Sequence, residues 1–87
     1  SLTYADTLVT LADIESKAGK YTKAMEHLEK AKAIYKTVLA GNDTINSIAA
    51  DVTEGSIESR LGNYDSAIEK LNSSLLKAKA ILGNSHI

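Results

Sequence analysis

The sequence predicts an all-α protein: two tandem helix-turn-helix hairpins, four antiparallel helices in all, forming a fragment of an α-solenoid. Three observations carry this expectation. First, Gly19-Lys20-Tyr21-Thr22-Lys23-Ala24 returns 43 residues later as Gly62-Asn63-Tyr64-Asp65-Ser66-Ala67. The echo runs on, with Met25 meeting Ile68, Glu26 meeting Glu69, Leu28 meeting Leu71 and Ala31 meeting Ser74. A fixed period of this length marks a repeat architecture. Second, apolar residues on both sides of each copy recur at helical spacing. Third, the 87 residues contain no Pro, so nothing interrupts long helices.

The first helix is predicted from about Leu2 to Ala18. Leu8, Leu11, Ala12 and Ala18 form its apolar stripe, with Tyr4 and Ala5 ahead of them. Ser1 or Thr3 is placed to cap its start. Gly19 is expected to close it in the left-handed conformation.

The second helix is predicted to begin at Thr22 as N-cap. Ala24, Met25, Leu28, Ala31, Tyr35, Val38 and Leu39 lie on one side, and most of the Lys and Glu residues on the other. Glu26 and Lys30 make a favourable i,i+4 pair. Gly41-Asn42-Asp43 is the next break.

The third helix is predicted over roughly Thr44 to Leu61. Ile45, Ile48, Ala49 and Val52 mark one face, and Ile57 and Leu61 continue at a rotated angle. Gly55 in its middle costs about 1 kcal/mol against Ala. A strand would need sustained alternation and β-branched residues, which this segment lacks. The fourth helix is predicted to start at Asp65 as N-cap, with Ala67, Ile68, Leu71, Leu75, Ala78 and Leu82 as its stripe. Lys77 and Lys79 suit its C-terminal dipole. Short turns force neighbouring helices antiparallel. The expected organisation is one domain, residues 1–87, with repeat one about 1–43 and repeat two about 44–87.

Composition narrows the function classes. The net charge is -1, so no global field favours nucleic acid or an anionic membrane. Basic residues are dispersed without aromatic stacking pairs, which argues against RNA or DNA binding. No apolar run spans a bilayer, and no signal-peptide pattern opens the chain. There is no Cys, hence no disulfide framework, thiolate metal site or thiol nucleophile. This composition predicts an intracellular, cytoplasmic protein. The chain does not begin with Met and is expected to be an excised fragment, or a processed or engineered chain. No phosphate loop, Ser-His-Asp order or zinc spacing is present. The expectation is a protein without catalysis, cofactor or metal.

An apolar helix, then Gly-x-Tyr-x-x-Ala, then a second amphipathic helix resembles the tetratricopeptide repeat (TPR) family. The likeness runs from about Tyr4 to Leu82. The 43-residue spacing and the tail Leu82-Gly83-Asn84-Ser85-His86 resemble the long repeats of the kinesin-light-chain type. The resemblance implies that Ala24, Ala31, Ala67 and Ser74 are the small residues that let paired helices approach. It implies that Leu8, Leu11 and Ala12 fill the large, large and small positions of the first helix. Asp51, Glu54 and Gly55 occupy those positions in repeat two. Two carboxylates there imply loose packing, a shifted register, or pairing with lysines. Gly19, Tyr21, Leu28, Gly62, Tyr64 and Leu71 complete the implied repeat-packing set. Tyr35 is expected in the core, and Tyr4 in the core or in the groove.

The family binds extended peptides along its first helices. The implied groove residues are Asp6, Val9, Thr10, Asp13 and Lys17 in repeat one. In repeat two they are Ala49, Val52, Thr53, Ser56 and Arg60. The Lys and Asn clamp for a C-terminal carboxylate is not matched, because Val9, Asp13, Val52 and Ser56 stand at its positions. The bland alternative for this set is a plain polar surface. Asp51, Glu54 and Glu58 share a helix face but lack partners from other helices, and are expected to form a solvated acidic face. His27 is expected at the surface, and His86 at a junction or in a disordered tail. The implied partner is a protein or peptide of unknown identity. The rival expectation is a homo-oligomer assembled through an uncovered edge on helix four, carried by Leu76, Ala80 and Ile81.

Overall fold

The computed structural model describes residues 1–83. Among them are four helices: α1 (Leu2–Lys17), α2 (Tyr21–Leu39), α3 (Ile45–Arg60) and α4 (Tyr64–Leu82). No strand occurs among the described residues. Helix α1 packs on α2 and α3 on α4, giving two hairpins. The chain divides into two compact units, Ser1–Asn42 and Asp43–Ile87. Residues 84–87, and with them the expectation of a junction or a disordered tail at His86, lie outside the described residues.

The two hairpin turns are built identically. Gly19 and Gly62 adopt φ of 81° and 89°. That left-handed conformation lets the following amides fold back onto the helix end. Gly19 N–H donates to Ser16 O and Lys20 N–H to Glu15 O, at 3.0 and 2.8 Å. Gly62 N–H and Asn63 N–H repeat the pattern onto Ser59 O and Glu58 O. This double closure is a Schellman motif, and its last residue is already the N-cap of the next helix. Lys20 O accepts from Ala24 N–H, and Asn63 O from Ala67 N–H.

The expected caps at Thr22 and Asp65 are therefore corrected. The N-caps are Lys20 and Asn63, neither with a side-chain cap bond. The turn is so short that Thr22 and Asp65 fall inside the first helical turn. Asp65 serves there as an acidic residue near the positive helix end. The outer caps have the usual chemistry. Ser1 Oγ accepts from Tyr4 N–H at 3.3 Å. Thr44 and Ser47 form a reciprocal capping box at the start of α3.

In hairpin one the core is Ala5, Leu8, Val9 and Ala12 from α1 against Ala24, Leu28, Ala31 and Tyr35 from α2. Small residues at Ala12, Ala24 and Ala31 allow close approach, and all three are fully buried. In hairpin two Ile48, Ala50, Thr53, Gly55 and Ile57 of α3 are buried, but only Ala67 and Ser74 of α4. The predicted stripe of α4 is corrected accordingly. Ile68, Leu71, Leu75 and Leu82 are 58%, 39%, 61% and 64% exposed. One partner helix makes a single line of contact, narrower than the apolar arc of α4, and α3 offers it Gly55 and carboxylates in place of leucines.

Candidate functional site

The side chains that join each hairpin are polar pairs laid over the same register. In hairpin one Nδ1 of His27 lies 2.7 Å from Oε1 of Glu15. A carboxylate only accepts, so Nδ1 carries the proton. In hairpin two, Lys70 Nζ donates to Glu58 Oε2 at 3.2 Å, and Ser66 Oγ donates to Glu58 Oε1 at 2.8 Å. His27 and Lys70 are 43 residues apart, as are Glu15 and Glu58. The His27 side chain is 22% exposed and that of Glu15 11%. The expected surface His27 is thus corrected: it is tied to α1, and its partner precedes it by twelve residues across the turn.

The expected solvated acidic face on α3 is also corrected. Asp51 Oδ2 accepts from Lys77 Nζ at 3.3 Å, and Glu58 is held by Lys70 and Ser66. Their side chains are 24% and 16% exposed. Of the two carboxylates at the large positions of repeat two, Asp51 is paired with a lysine, Lys77. The Lys70 pKa is raised from 10.5 by its hydrogen bond to Glu58, with burial acting the other way.

Tyr35 is in the core, 5% exposed, and its hydroxyl donates to Asp6 Oδ1 at 2.6 Å. Burial, then the bond to Asp6, pushes its pKa well above the ordinary 10.0. Asp6 therefore serves the hairpin interior. Val9 is 6% exposed and Thr53 7%. Thr10 is exposed and its hydroxyl donates to Asp6 O at 3.2 Å, while Asp13 and Lys17 pair at 3.2 Å on the surface. In α3 Val52 is 42% exposed, and Ser56 and Arg60 are exposed. Val52, Ser56 and Arg60 stand at i, i+4 and i+8 and share one face.

The packing set divides likewise. Leu8, Ala12, Ala24, Leu28, Ala31, Ala67 and Ser74 are buried. Leu11 is 41%, Tyr64 64% and Tyr4 52% exposed, and Tyr21 is half-buried. At the edge of α4, Leu76 is 68% and Ile81 39% exposed, and Ala80 is exposed.

One feature escaped sequence reasoning. An apolar cleft of about 260 Å³ lies at the open end of hairpin two, lined by Ile45, Ile48, Ala78, Ile81 and Leu82. The signal was available in the register, because Ala78 stands where hairpin one has Tyr35.

Comparison with known families decides what this arrangement is. The tetratricopeptide repeat profile matches residues 3–75. This chain belongs to the tetratricopeptide repeat family. TPR repeats generally serve as protein–protein interaction modules and are typically non-catalytic scaffolds. No curated protein and no solved structure gives a significant match. Among the described residues of this TPR chain, no helix is long and apolar enough to cross a membrane. None of them forms a His, Cys, Asp and Glu group able to hold a metal ion.

Proposed function

We propose that this TPR chain is a non-catalytic interaction module of the long-repeat, kinesin-light-chain-like type. A partner segment lies along the exposed face of the first helix of each hairpin. The observation that carries the reading is the family match over residues 3–75. The repeated helix lengths of 16 and 19 residues support the long-repeat assignment. Each first helix also carries polar residues in the same register outside the core, Asp13 and Lys17 in α1 and Ser56 and Arg60 in α3. Both sets end in a cation, which suits a partner segment bearing a carboxylate.

The test is selection of binding peptides from a random display library, followed by Lys17→Glu and Arg60→Glu. Selected peptides should bind at least tenfold more weakly to the variants. Unchanged affinity in both would overturn the assignment of these faces.

The run of exposed apolar side chains on α4 supports a second reading, self-association through Leu76, Ala80 and Ile81. Leu76→Glu or Ile81→Glu should then lower the molar mass measured by light scattering behind size exclusion. A mass that stays the same in both variants removes it.

A further inference from the structure

We propose that the cleft at the open end of hairpin two binds one aromatic ring without a hydroxyl group, presented as a phenylalanine side chain of a partner segment. The class of partner rests on the interaction-module reading; the ring site rests on the cleft alone.

The internal repeat shows what fits there. Shifted by 43 residues, the cleft residues Ile45, Ile48, Ala78, Ile81 and Leu82 become Leu2, Ala5, Tyr35, Val38 and Leu39. In hairpin one the ring of Tyr35 is packed at this place, 5% exposed. In hairpin two Ala78 replaces that ring, the larger Ile48 and Ile81 replace Ala5 and Val38, and a cleft of about 260 Å³ stays open. Apolar cavities of ~150 Å³ take up benzene.

The chemistry of the site selects the ring. Its floor is Ile48, 7% exposed, and Ala78; its rim is Ile45 and Leu82, 71% and 64% exposed. A ring arriving from the open side directs its para position at that aliphatic floor. In hairpin one Asp6 accepts the Tyr35 hydroxyl at 2.6 Å, but Ala49 stands at the corresponding position of hairpin two. A hydroxyl pushed into the cleft loses water and gains no acceptor. A plain phenyl ring loses nothing and buries its faces against branched aliphatic side chains. The chain contains no Phe of its own.

The experiment is a titration followed by methyl resonances in NMR. Toluene, p-cresol, and a Gly/Ser peptide with one central Phe are added separately to the whole chain. Toluene and the Phe peptide should give saturable ring-current shifts at Ile48 and Ile81, with little change at Leu2 and Val38. p-Cresol should bind roughly tenfold more weakly. Ala78→Phe should abolish the shifts. If that variant does not fold, intermolecular NOEs from toluene to Ile48 in the native chain locate the ring instead. Absence of saturable shifts with toluene, or shifts that persist in folded Ala78→Phe, would overturn the site. Equal affinity for toluene and p-cresol would overturn the hydroxyl exclusion. Toluene binding without Phe-peptide binding would overturn the assignment to a side chain. A protein partner that binds native and Ala78→Phe chains alike would leave the interaction module standing and remove the cleft from it.

Discussion

The imidazole of His27 and the carboxylate of Glu15 stand in the same register as the ammonium of Lys70 and the carboxylate of Glu58, at 2.7 and 3.2 Å. Each pair spans its hairpin one turn away from the Gly19 or Gly62 closure. The carboxylate is the constant member, and the nitrogen donor is exchangeable. His27→Ala leaves the Glu15 side chain, 11% exposed, without this partner. The expected loss is about 1–2 kcal/mol in chemical unfolding. His27→Lys copies hairpin two and should stay within ~0.5 kcal/mol of the native chain. An equal loss in both variants would show that imidazole packing, not the pair, matters.

Gly55 is set by close approach to α4. A Cβ placed there would stand 3.1 Å from Leu71 Cγ and 3.2 Å from its Cδ2. Hairpin one solves the same contact with Ala12 opposite Leu28. Leu71 is 39% exposed and has room to move by a few tenths of an ångström. Helix propensity then decides the sign, at about 1 kcal/mol in favour of Ala. Gly55→Ala should raise Tm, whereas Gly55→Leu should lower it by forcing the helices apart. A lowered Tm in Gly55→Ala would show that Leu71 is held rigidly.

Ser74 sits where hairpin one has Ala31, and is 3% exposed. Its hydroxyl is buried and has no hydrogen-bond partner. Ser74→Ala removes an unsatisfied group at almost no change of shape, and should stabilise by about 1 kcal/mol in chemical unfolding. A loss of stability would point to a bond made through water.

Asp51 and Lys77 replace Leu8 and Ile34 of hairpin one. Their side chains are 24% and 39% exposed, so the pair is screened and its net contribution is modest. The double variant Asp51→Leu with Lys77→Ile should match or exceed native stability. Each single variant should be less stable than the double. A double-mutant cycle checks this, and simple additivity of the singles would contradict it.

Alkaline pH should weaken the fold. The Tyr35 pKa is raised above 10.0, mainly by burial and then by the bond to Asp6. That of Lys70 is raised above 10.5, mainly by its bond to Glu58. Each proton is held more tightly in the folded chain than in the unfolded one. The stability they contribute is fully present below the unfolded values and is lost as pH rises through the folded values. Tm should hold steady up to about pH 9.5 and fall above pH 10. Tyr35→Phe should flatten much of that fall. An unchanged alkaline profile in Tyr35→Phe would assign the loss to other groups.

Periodicity was enough to establish the helices of this protein, their pairing into hairpins and the repeat. Spacing of Leu, Ala and Gly along one chain carries that information, and the glycine at each turn announces a left-handed residue. The small residues Ala12, Ala24, Ala31 and Ala67 were legible as close-approach positions only through the resemblance to the tetratricopeptide repeat. Partnership across a hairpin was not legible in that way. His27 has no acid at helical spacing on its own inward face, because its acid lies on the preceding helix. Asp51 and Glu58 resembled a solvated stripe until α4 laid Lys77 and Lys70 against them. Thr22 and Asp65 have good cap chemistry, but the Schellman closure reaches Lys20 and Asn63 first. The cleft left by Ala78 is a property of volume, and volume between two helices exists only once they are packed. Sequence distance along one helix determines which residues share a face; distance between helices determines whether a charge is paired, a hydroxyl is stranded or a space is left open.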